Sequence, residues 1–217
     1  MTDWLKLIRA KTLVTQRPMK PGAVSDNPRI PPGQTEVSNF PILDLGFRPD
    51  IPLENWQLKV FGLVHHEQQL NWQNLLSLPQ NEVTADFHCV TRWSQLDMVW
   101  RGVLARDLLL KAEPLNEARF VTLHGYDNYT TNLPLEALLD DDVIIAYQLF
   151  NKPITQEHGG PVRMIVPKRY AWKGSKWLKA IELHAKDRPG FWEVRGYHND
   201  ANPWLEERFG FPPEDCE

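Results

Sequence analysis

The middle of the chain reads Asp86-Phe87-His88-Cys89-Val90-Thr91-Arg92-Trp93-Ser94, and the thiol in this stretch directs the interpretation of the rest of the sequence. Residues 82–87 favour a strand, so Cys89 lies where a predicted strand passes into a loop. Its polar and cationic neighbours would lower the pKa of the thiol toward thiolate. A buried structural cysteine is the commoner state of a lone thiol, so these neighbours alone leave both interpretations open.

Ligand counting narrows the metals that a site built on Cys89 could hold. Zinc takes about three or four protein ligands and iron–sulfur clusters about four cysteines, whereas the chain has two cysteines in all. His65-His66 lies in a polar segment, where solvent exposure is expected. A nucleophilic cysteine would need a partner histidine, but His88 should point to the opposite face of the strand. A metal held by one protein thiolate must draw its other ligands from elsewhere, and a thiolate suits a soft metal.

Two basic segments follow further along the chain. In His158-Gly159-Gly160-Pro161-Val162-Arg163, the glycines permit close backbone approach to a ligand and the arginine can bind a phosphate through two hydrogen bonds. Lys173-Gly174-Ser175-Lys176 combines two ammonium groups, a hydroxyl and loop amides, as in an anion site. Taken singly, each segment is equally typical of an exposed strand or a basic surface turn.

Together these segments resemble the molybdopterin-binding domain of the sulfite oxidase family. The resemblance is carried by 88–94, by Trp100-Arg101-Gly102-Val103 and by 160–177, and it extends over about residues 37–208. In that family the cysteine thiolate ligates molybdenum, and the later basic residues hold the pterin and its phosphate. The resemblance therefore implies that Cys89 is the metal ligand of a molybdenum–molybdopterin (Mo-MPT) cofactor.

The resemblance also implies roles for further residues. Tyr197, after Phe191-Trp192-Glu193-Val194-Arg195, occupies a place similar to a family tyrosine that faces the metal, and it could donate a proton. Packing of Tyr197 against a crossing loop is the open alternative. Arg92 either attracts an anionic substrate or bonds the pterin. The catalytic residues are then Cys89, Tyr197 and Arg92, and the cofactor contacts are Asn39, His158, Arg163, Lys173, Ser175 and Lys176.

The implied function is a molybdenum oxidoreductase that transfers an oxygen atom, with two electrons, to or from a small oxyanion, sulfoxide or N-oxide. The chain resembles the compact bacterial members of the family, whose periplasmic relatives reduce methionine sulfoxide. We expect neither the cytochrome-type haem domain nor the immunoglobulin-like dimerisation domain of the sulfite oxidases proper, and Arg92 differs in spacing from the family's sulfite-binding arginines. We expect a small-molecule substrate and a separate electron-transfer partner protein. The alternatives are a molybdopterin-binding protein without turnover (a carrier or silent homologue) and an enzyme with Cys89 as nucleophile.

Composition bears on partners and compartment. A net charge of −4 and a pI near 6.0 disfavour a nucleic-acid binder. No apolar stretch is long enough to span a bilayer, and the start of the chain has no apolar signal region or twin arginine. Two cysteines, one of them Cys216 near the end, fit a reducing compartment. We therefore predict a cytoplasmic protein with no membrane span.

The fold class predicted is α+β. Hydrophobic residues make up 42% of the 217, enough for one large core, while eighteen prolines and nine tryptophans favour short elements and loops. We expect a single mixed, mainly β domain of the sulfite oxidase molybdopterin-binding type over 37–208. A Pro-rich N-terminal arm, 1–36, precedes it and a tail, 209–217, follows it. Within the domain, 37–47 should be extended chain packed on the remainder.

Local patterns predict the individual elements. Asn71 should cap a short helix that ends at Leu78, before Pro79. A second helix is predicted over Gly102–Leu110, a helical turn over 134–139 and a polar turn over 65–69. The strands do not alternate with long helices, which distinguishes the pattern from a doubly wound sheet. The two strands 119–124 and 129–133 should form a hairpin around Asp127-Asn128. Further strands are predicted at 56–64, 82–87, 143–150, 162–166 and 177–184.

Overall fold

The computed structural model describes residues 26–210, which form two β-sheets joined by short helices and loops. The six-stranded sheet contains β1 (Thr35–Glu36), β4 (Asn81–Cys89), β5 (Trp93–Leu104), β8 (Ile144–Leu149), β9 (Lys152–Pro153) and β10 (Arg163–Ile165). The five-stranded sheet contains β2 (Gln57–Gly62), β3 (Gln68–Asn71), β6 (Phe120–Gly125), β7 (Thr130–Pro134) and β11 (Leu178–His184). The α-helices are α1 (Trp72–Ser77) and α2 (Ala105–Ala112). Turns of 3₁₀ helix occur at Leu135–Leu138, Gln156–His158, Ala171–Lys173, Glu193–Arg195 and Pro203–Leu205.

Strand β5 organises the six-stranded sheet. It pairs antiparallel with β4 and β8 and parallel with β1. The five-stranded sheet runs in the order β3-β2-β11-β6-β7, and its pairs are antiparallel except for β2 with β11. This mixed, mainly β arrangement with few helices confirms the predicted α+β class.

Several local predictions are confirmed. The Asn71 side chain accepts a hydrogen bond from the Asn74 amide, and Asn74 bonds back to the Asn71 amide, so a capping box begins α1. The helix ends where predicted, with Leu78 as its C-cap before Pro79. Strands β6 and β7 form the predicted hairpin around Asp127-Asn128.

Two local predictions are wrong. The helix predicted from Gly102 begins only at Ala105, because Gly102–Leu104 continue β5 and pair with Ile144–Ala146 of β8. The long β5 was therefore missed, since the sequence pattern gave no strand between Cys89 and Gly102. The polar turn predicted over 65–69 ends early, because Gln68 and Gln69 belong to β3 and pair with β2. In both cases a neighbouring strand supplies hydrogen bonds that local propensity does not reveal.

The N-terminal arm is attached to the six-stranded sheet in the part that the structure describes. Its residues Thr35–Glu36 form β1, and the Arg29 guanidinium binds the carboxylates of Asp86 and Asp97 at 2.5 and 2.6 Å. Residues 37–47 contain no helix or strand, as predicted, and the Val37 amide donates to the Ser94 carbonyl at 2.9 Å. The rest of the predicted arm, 1–25, and the tail beyond 210, with Cys216, lie outside the described residues.

The buried side chains form two clusters. The first, mostly aliphatic, lies between the five-stranded sheet and α2 and includes Leu58, Leu108 and Ile181. The second is aromatic and surrounds Cys89. Within residues 26–210, no helix is both long enough and apolar enough for a bilayer span. Two of the predicted site residues, Cys89 and Tyr197, belong to this aromatic cluster.

Because β5 lies very close to β8 at Gly102, a substitution at this position tests the observed pairing of the two strands. A Cβ built at Gly102 would lie 2.0 Å from the Ile145 carbonyl oxygen, which is backbone and cannot rotate away. Gly102→Ala should therefore lower the free energy of unfolding by about 3 kcal/mol, whereas alanine in an exposed helix would stabilise. The exposed neighbour supplies the control, since Arg101→Ala should change stability by under about 0.5 kcal/mol in the same urea titrations. Equal stability of both variants would contradict the pairing.

Candidate functional site

A pocket opens within the aromatic cluster. The space between its walls measures about 880 Å³ when the part that is open to solvent is counted. Four segments that are distant in the sequence supply the walls: the extended residues 40–45, the end of β4 with the following turn, residues 171–177, and the loop that carries Trp192 and Tyr197. Residues His158, Arg163, Asp127 and Tyr129 complete the lining.

Cys89 is the last residue of β4 and faces this pocket. The side chain is 7% exposed, and its sulfur lies 3.1 Å from the Thr91 hydroxyl oxygen. His88 faces away: its Nδ1 lies 2.8 Å from the Ser94 hydroxyl, and its ring contacts Trp204. Burial lowers the pKa of His88 to about 4. The strand alternation predicted from the sequence therefore separates this histidine from the thiol, which disfavours a Cys–His nucleophile pair.

Arg163 is a buried cation that lines the pocket. It is 2% exposed, and its guanidinium carbon lies 5.2 Å from the Phe87 ring centroid and 5.6 Å from that of Trp100. One nitrogen donates to the His158 carbonyl at 2.7 Å, while the buried Nε has no hydrogen-bond partner within 26–210. Burial lowers the pKa of Arg163 to about 10, and the Cys89 side chain opposes the shift. A buried donor without a partner is costly, so this Nε indicates a missing acceptor.

His158 and Lys176 line the same end of the pocket. The His158 ring stacks on Phe40 at 4.3 Å, and burial lowers the pKa of the imidazole. The Lys176 ammonium donates to the carbonyls of Leu43 and Glu157 at 2.7 and 2.6 Å. His158 and Lys176 therefore hold the extended segment 40–45 that forms one wall of the pocket.

The structure requires glycine at positions 159 and 160, but not because a ligand approaches the backbone there, as the sequence suggested. A Cβ at Gly159 would lie 2.7 Å from the Lys176 Cγ, and one at Gly160 would lie 2.0 Å from the Ile154 carbonyl oxygen. Gly159 also has a φ of +100°, which favours glycine. The close approach that these glycines allow is to the chain itself.

Tyr197 also lines the pocket and is 2% exposed. Its ring centroid lies 4.8 Å from Trp192, 5.3 Å from Trp172 and 5.0 Å from Phe209. The ring therefore packs against a crossing loop and also lines the cavity, while the role of Tyr197 toward the metal stays a prediction.

Four predicted site residues do not line the pocket. Asn39 is exposed. The Ser175 hydroxyl is enclosed and donates to the Lys176 carbonyl at 3.0 Å. The Lys173 ammonium is wholly buried against the Glu193 carboxylate at 2.7 Å. Arg92 is near enough to Arg208 for its charge to add to the lowering of that residue's pKa, of which burial is the main cause. These four residues are absent from the lining of the pocket, and their cofactor or substrate contacts stay predictions.

The structure adds residues that the sequence reasoning missed. Asp127 lines the pocket, and burial raises the pKa of its carboxyl group. Arg208 is 4% exposed and donates to the Val90 carbonyl, next to Cys89, at 2.8 Å. Asp127-Asn128 was interpreted only as a hairpin turn, and Arg208 lay at the edge of the predicted tail. No local pattern distinguishes these two positions.

The lining fits a molybdenum–pterin cofactor. A single thiolate can serve one soft-metal position, the unpartnered Nε of Arg163 can donate to an anionic or carbonyl acceptor, and the Asp127 carboxyl can pair with a nitrogen-rich ring edge. Aromatic walls of Phe40, Trp93 and Trp177 suit a flat heterocycle.

Comparison with known proteins gives the same assignment. Residues 46–192 match the family described as "Oxidoreductase molybdopterin binding domain". The chain is 42% identical to "Uncharacterized oxidoreductase YuiH" of Bacillus subtilis over 185 residues, which cover 83% of this chain and 92% of that one. It is 25% identical to the protein-methionine-sulfoxide reductase catalytic subunit MsrP of Campylobacter jejuni, with 69% of this chain and 58% of that one covered.

A solved structure shares the fold. The sulfane dehydrogenase SoxCD from Paracoccus pantotrophus superposes with a TM-score of 0.60 and 21% identity, over 69% of this chain and 42% of that one. The family match covers more than half of the chain, and the pocket carries the donor set that the cofactor needs. The protein therefore belongs to the molybdopterin-binding oxidoreductases of sulfite oxidase type, and its cofactor is molybdenum–molybdopterin.

Proposed function

We propose that this enzyme carries out two-electron oxygen-atom transfer on a small neutral sulfoxide or N-oxide. The observation that carries the proposal is the aromatic enclosure beside Cys89, formed by Trp172, Trp192 and Tyr197, each under 10% exposed. Such walls favour apolar or sulfur-containing groups over hydrated anions. The oxyanion that the sequence left open as substrate has less support, because Arg92 lies off the pocket.

Different residues of the pocket have different roles in this proposal. Cys89 holds the metal, and Arg163, His158 and Lys176 hold the organic part of the cofactor, with Asp127 as an added contact. The bound cofactor supplies the oxygen-atom transfer itself. In this proposal the phenol of Tyr197, which lines the pocket, gives a proton to the substrate oxygen. Reduction of a sulfoxide to a thioether consumes two electrons and two protons and releases one water.

We further propose that the electrons come from a separate protein and that the enzyme works in the cytoplasm. Residues 26–210 contain no group of three or more histidine, cysteine or acidic side chains that could hold another metal ion. The cysteine usage fits a reducing compartment. Cell fractionation and co-purification with a redox protein would test both points.

A carrier that binds the cofactor without turnover is the second candidate. The burial of Trp192 and Tyr197 at the pocket favours it, because these side chains expose little surface to an incoming substrate. Turnover of any substrate per molybdenum atom separates the two candidates.

The first test combines a substrate screen with Cys89→Ser. Protein from a host that makes the cofactor should hold close to one molybdenum per chain and should oxidise a reduced viologen dye with methionine sulfoxide or an N-oxide. Cys89→Ser should lose that turnover and the thiolate-to-molybdenum absorption while keeping the circular dichroism spectrum, because an alkoxide is a poorer soft-metal ligand. Full turnover and unchanged absorption in Cys89→Ser would reject the ligand assignment.

The anchoring role of the basic residues predicts a loss of cofactor and not of chemistry. Arg163→Ala and Lys176→Ala each remove a charge-assisted contact of about 1.5–3 kcal/mol. Molybdenum per chain should fall several-fold in both variants, with a smaller change in kcat per molybdenum. Exposed Arg101→Ala is the control and should keep its full molybdenum content. Undiminished occupancy in both variants would remove them from the cofactor site.

The position of Arg92 predicts that it does not select substrates by charge. Arg92→Met should change KM for sulfite and for a neutral sulfoxide by the same factor, since Arg92 is absent from the lining of the pocket. Steady-state kinetics and metal content on one preparation give the answer. A selective rise in KM for sulfite would restore the steering role expected from the sequence.

A further inference from the structure

Lys173 and Glu193 form an ion pair that is completely shielded from solvent. Both side chains are 0% exposed, and the Lys173 Nζ lies 2.7 Å from a Glu193 carboxylate oxygen. The ammonium also donates to the Asn132 side-chain oxygen at 3.1 Å. Burial lowers the pKa of Lys173, and the Glu193 charge opposes that shift. These short contacts engage Lys173 with protein groups.

The Glu193 carboxylate joins three segments of the chain. The oxygen that binds Lys173 also accepts from the Trp172 indole at 3.1 Å and from the Thr131 hydroxyl at 2.9 Å. Thr131 lies in β7, Trp172 in the turn Ala171–Lys173, and Glu193 in the turn Glu193–Arg195. One carboxylate therefore fixes two loops to the end of a sheet.

Each of the two loops supplies part of the aromatic enclosure formed by Trp172, Trp192 and Tyr197. Trp172 lines the pocket from one loop, and Trp192 and Tyr197 line it from the other. The Tyr197 ring meets Trp172 edge-on at 5.3 Å. Any change in the distance between the loops thus changes the place of the Tyr197 phenol.

Gly190 shows how tightly the second loop is seated. A Cβ there would lie 2.5 Å from the Thr131 Cα and 2.8 Å from the second Glu193 carboxylate oxygen. The Phe191 amide also donates to the Thr130 carbonyl at 2.8 Å. At Gly190 the loop therefore rests directly on β7 with no space for an added atom.

We propose that Lys173 and Glu193 are positioning residues, whose buried pair sets the Tyr197 phenol against Trp172 in the pocket. Lys173 then acts on turnover through Tyr197 and is not a contact of the cofactor phosphate. The inference rests on the proposed function only for the role of Tyr197 in turnover.

The test is a double-mutant cycle with Lys173→Met, Glu193→Gln and the two combined. Each single change leaves one buried charge without its partner, whereas the combined change removes both charges and keeps an amide oxygen for Trp172 and Thr131. Lys168→Met is the matched control, because Lys168 forms an exposed pair with Asp140 at 3.0 Å. For each variant we would measure Tm of the cofactor-free protein, molybdenum per chain, and kcat and KM per molybdenum.

Positioning predicts a distinctive pattern in the cycle. Each single variant should lose on the order of 10 °C in Tm, and the combined variant should recover at least half of that loss and a near-normal molybdenum content. Its residual loss in kcat, at unchanged KM, should vanish in a Tyr197→Phe background. Lys168→Met should match the parent protein throughout.

Two results would overturn the inference. If Lys173 contacts the cofactor, Lys173→Met lowers molybdenum with an unchanged Tm of the cofactor-free protein, and the combined variant is no better loaded. If the pair is only structural, kcat per molybdenum stays normal in the combined variant. Should single variants fail to fold, the combined variant and Tyr197→Phe still decide. Absence of turnover in the parent protein would reject the proposed function while the Tm cycle still reports on the pair.

Discussion

The turn that joins β4 to β5 is the constraint on which the site depends. Three residues, Val90 to Arg92, connect the strands, and the Arg92 amide donates to the Cys89 carbonyl at 3.0 Å. Arg92 adopts a φ of 73°, the left-handed conformation that closes three-residue hairpin loops. This geometry leaves Cys89 at the end of a strand with its side chain facing the pocket. The thiol is therefore placed by backbone hydrogen bonds and does not depend on a flexible loop.

Segments from both ends of the described chain hold this turn. The Gln34 side chain donates to the Cys89 carbonyl at 3.0 Å, and the Thr35 amide donates to the Arg92 carbonyl at 3.0 Å. Arg208 donates to the Val90 carbonyl at 2.8 Å. Buried carbonyls need such donors, so the arm and the C-terminal segment are structural parts of the site even though they lie outside the matched range 46–192.

Much of the local structure could be read from short patterns. Asn71 before an apolar segment and Pro79 after it mark a short helix, and the signal is local because caps and breakers act within a few residues. The failures have a tertiary cause. Gly102 to Leu104 resemble a helix start, yet β8 offers them strand hydrogen bonds at a distance where only a glycine fits. Neighbour-dependent pairing of this kind has no local signature.

The fold class and the family could be predicted from the sequence, because strand-rich patterns favour an α+β fold and the segments around Cys89, Arg163 and Lys176 together resemble the molybdopterin-binding domain of the sulfite oxidase family. Only the tertiary structure decided which of these residues meet. It placed Arg163 and Tyr197 in the pocket, left Asn39 and Arg92 off its lining, and enclosed Lys173 with Glu193. The physical reason is that a buried charge must find a partner, and a partner twenty residues away is chosen by packing and not by spacing.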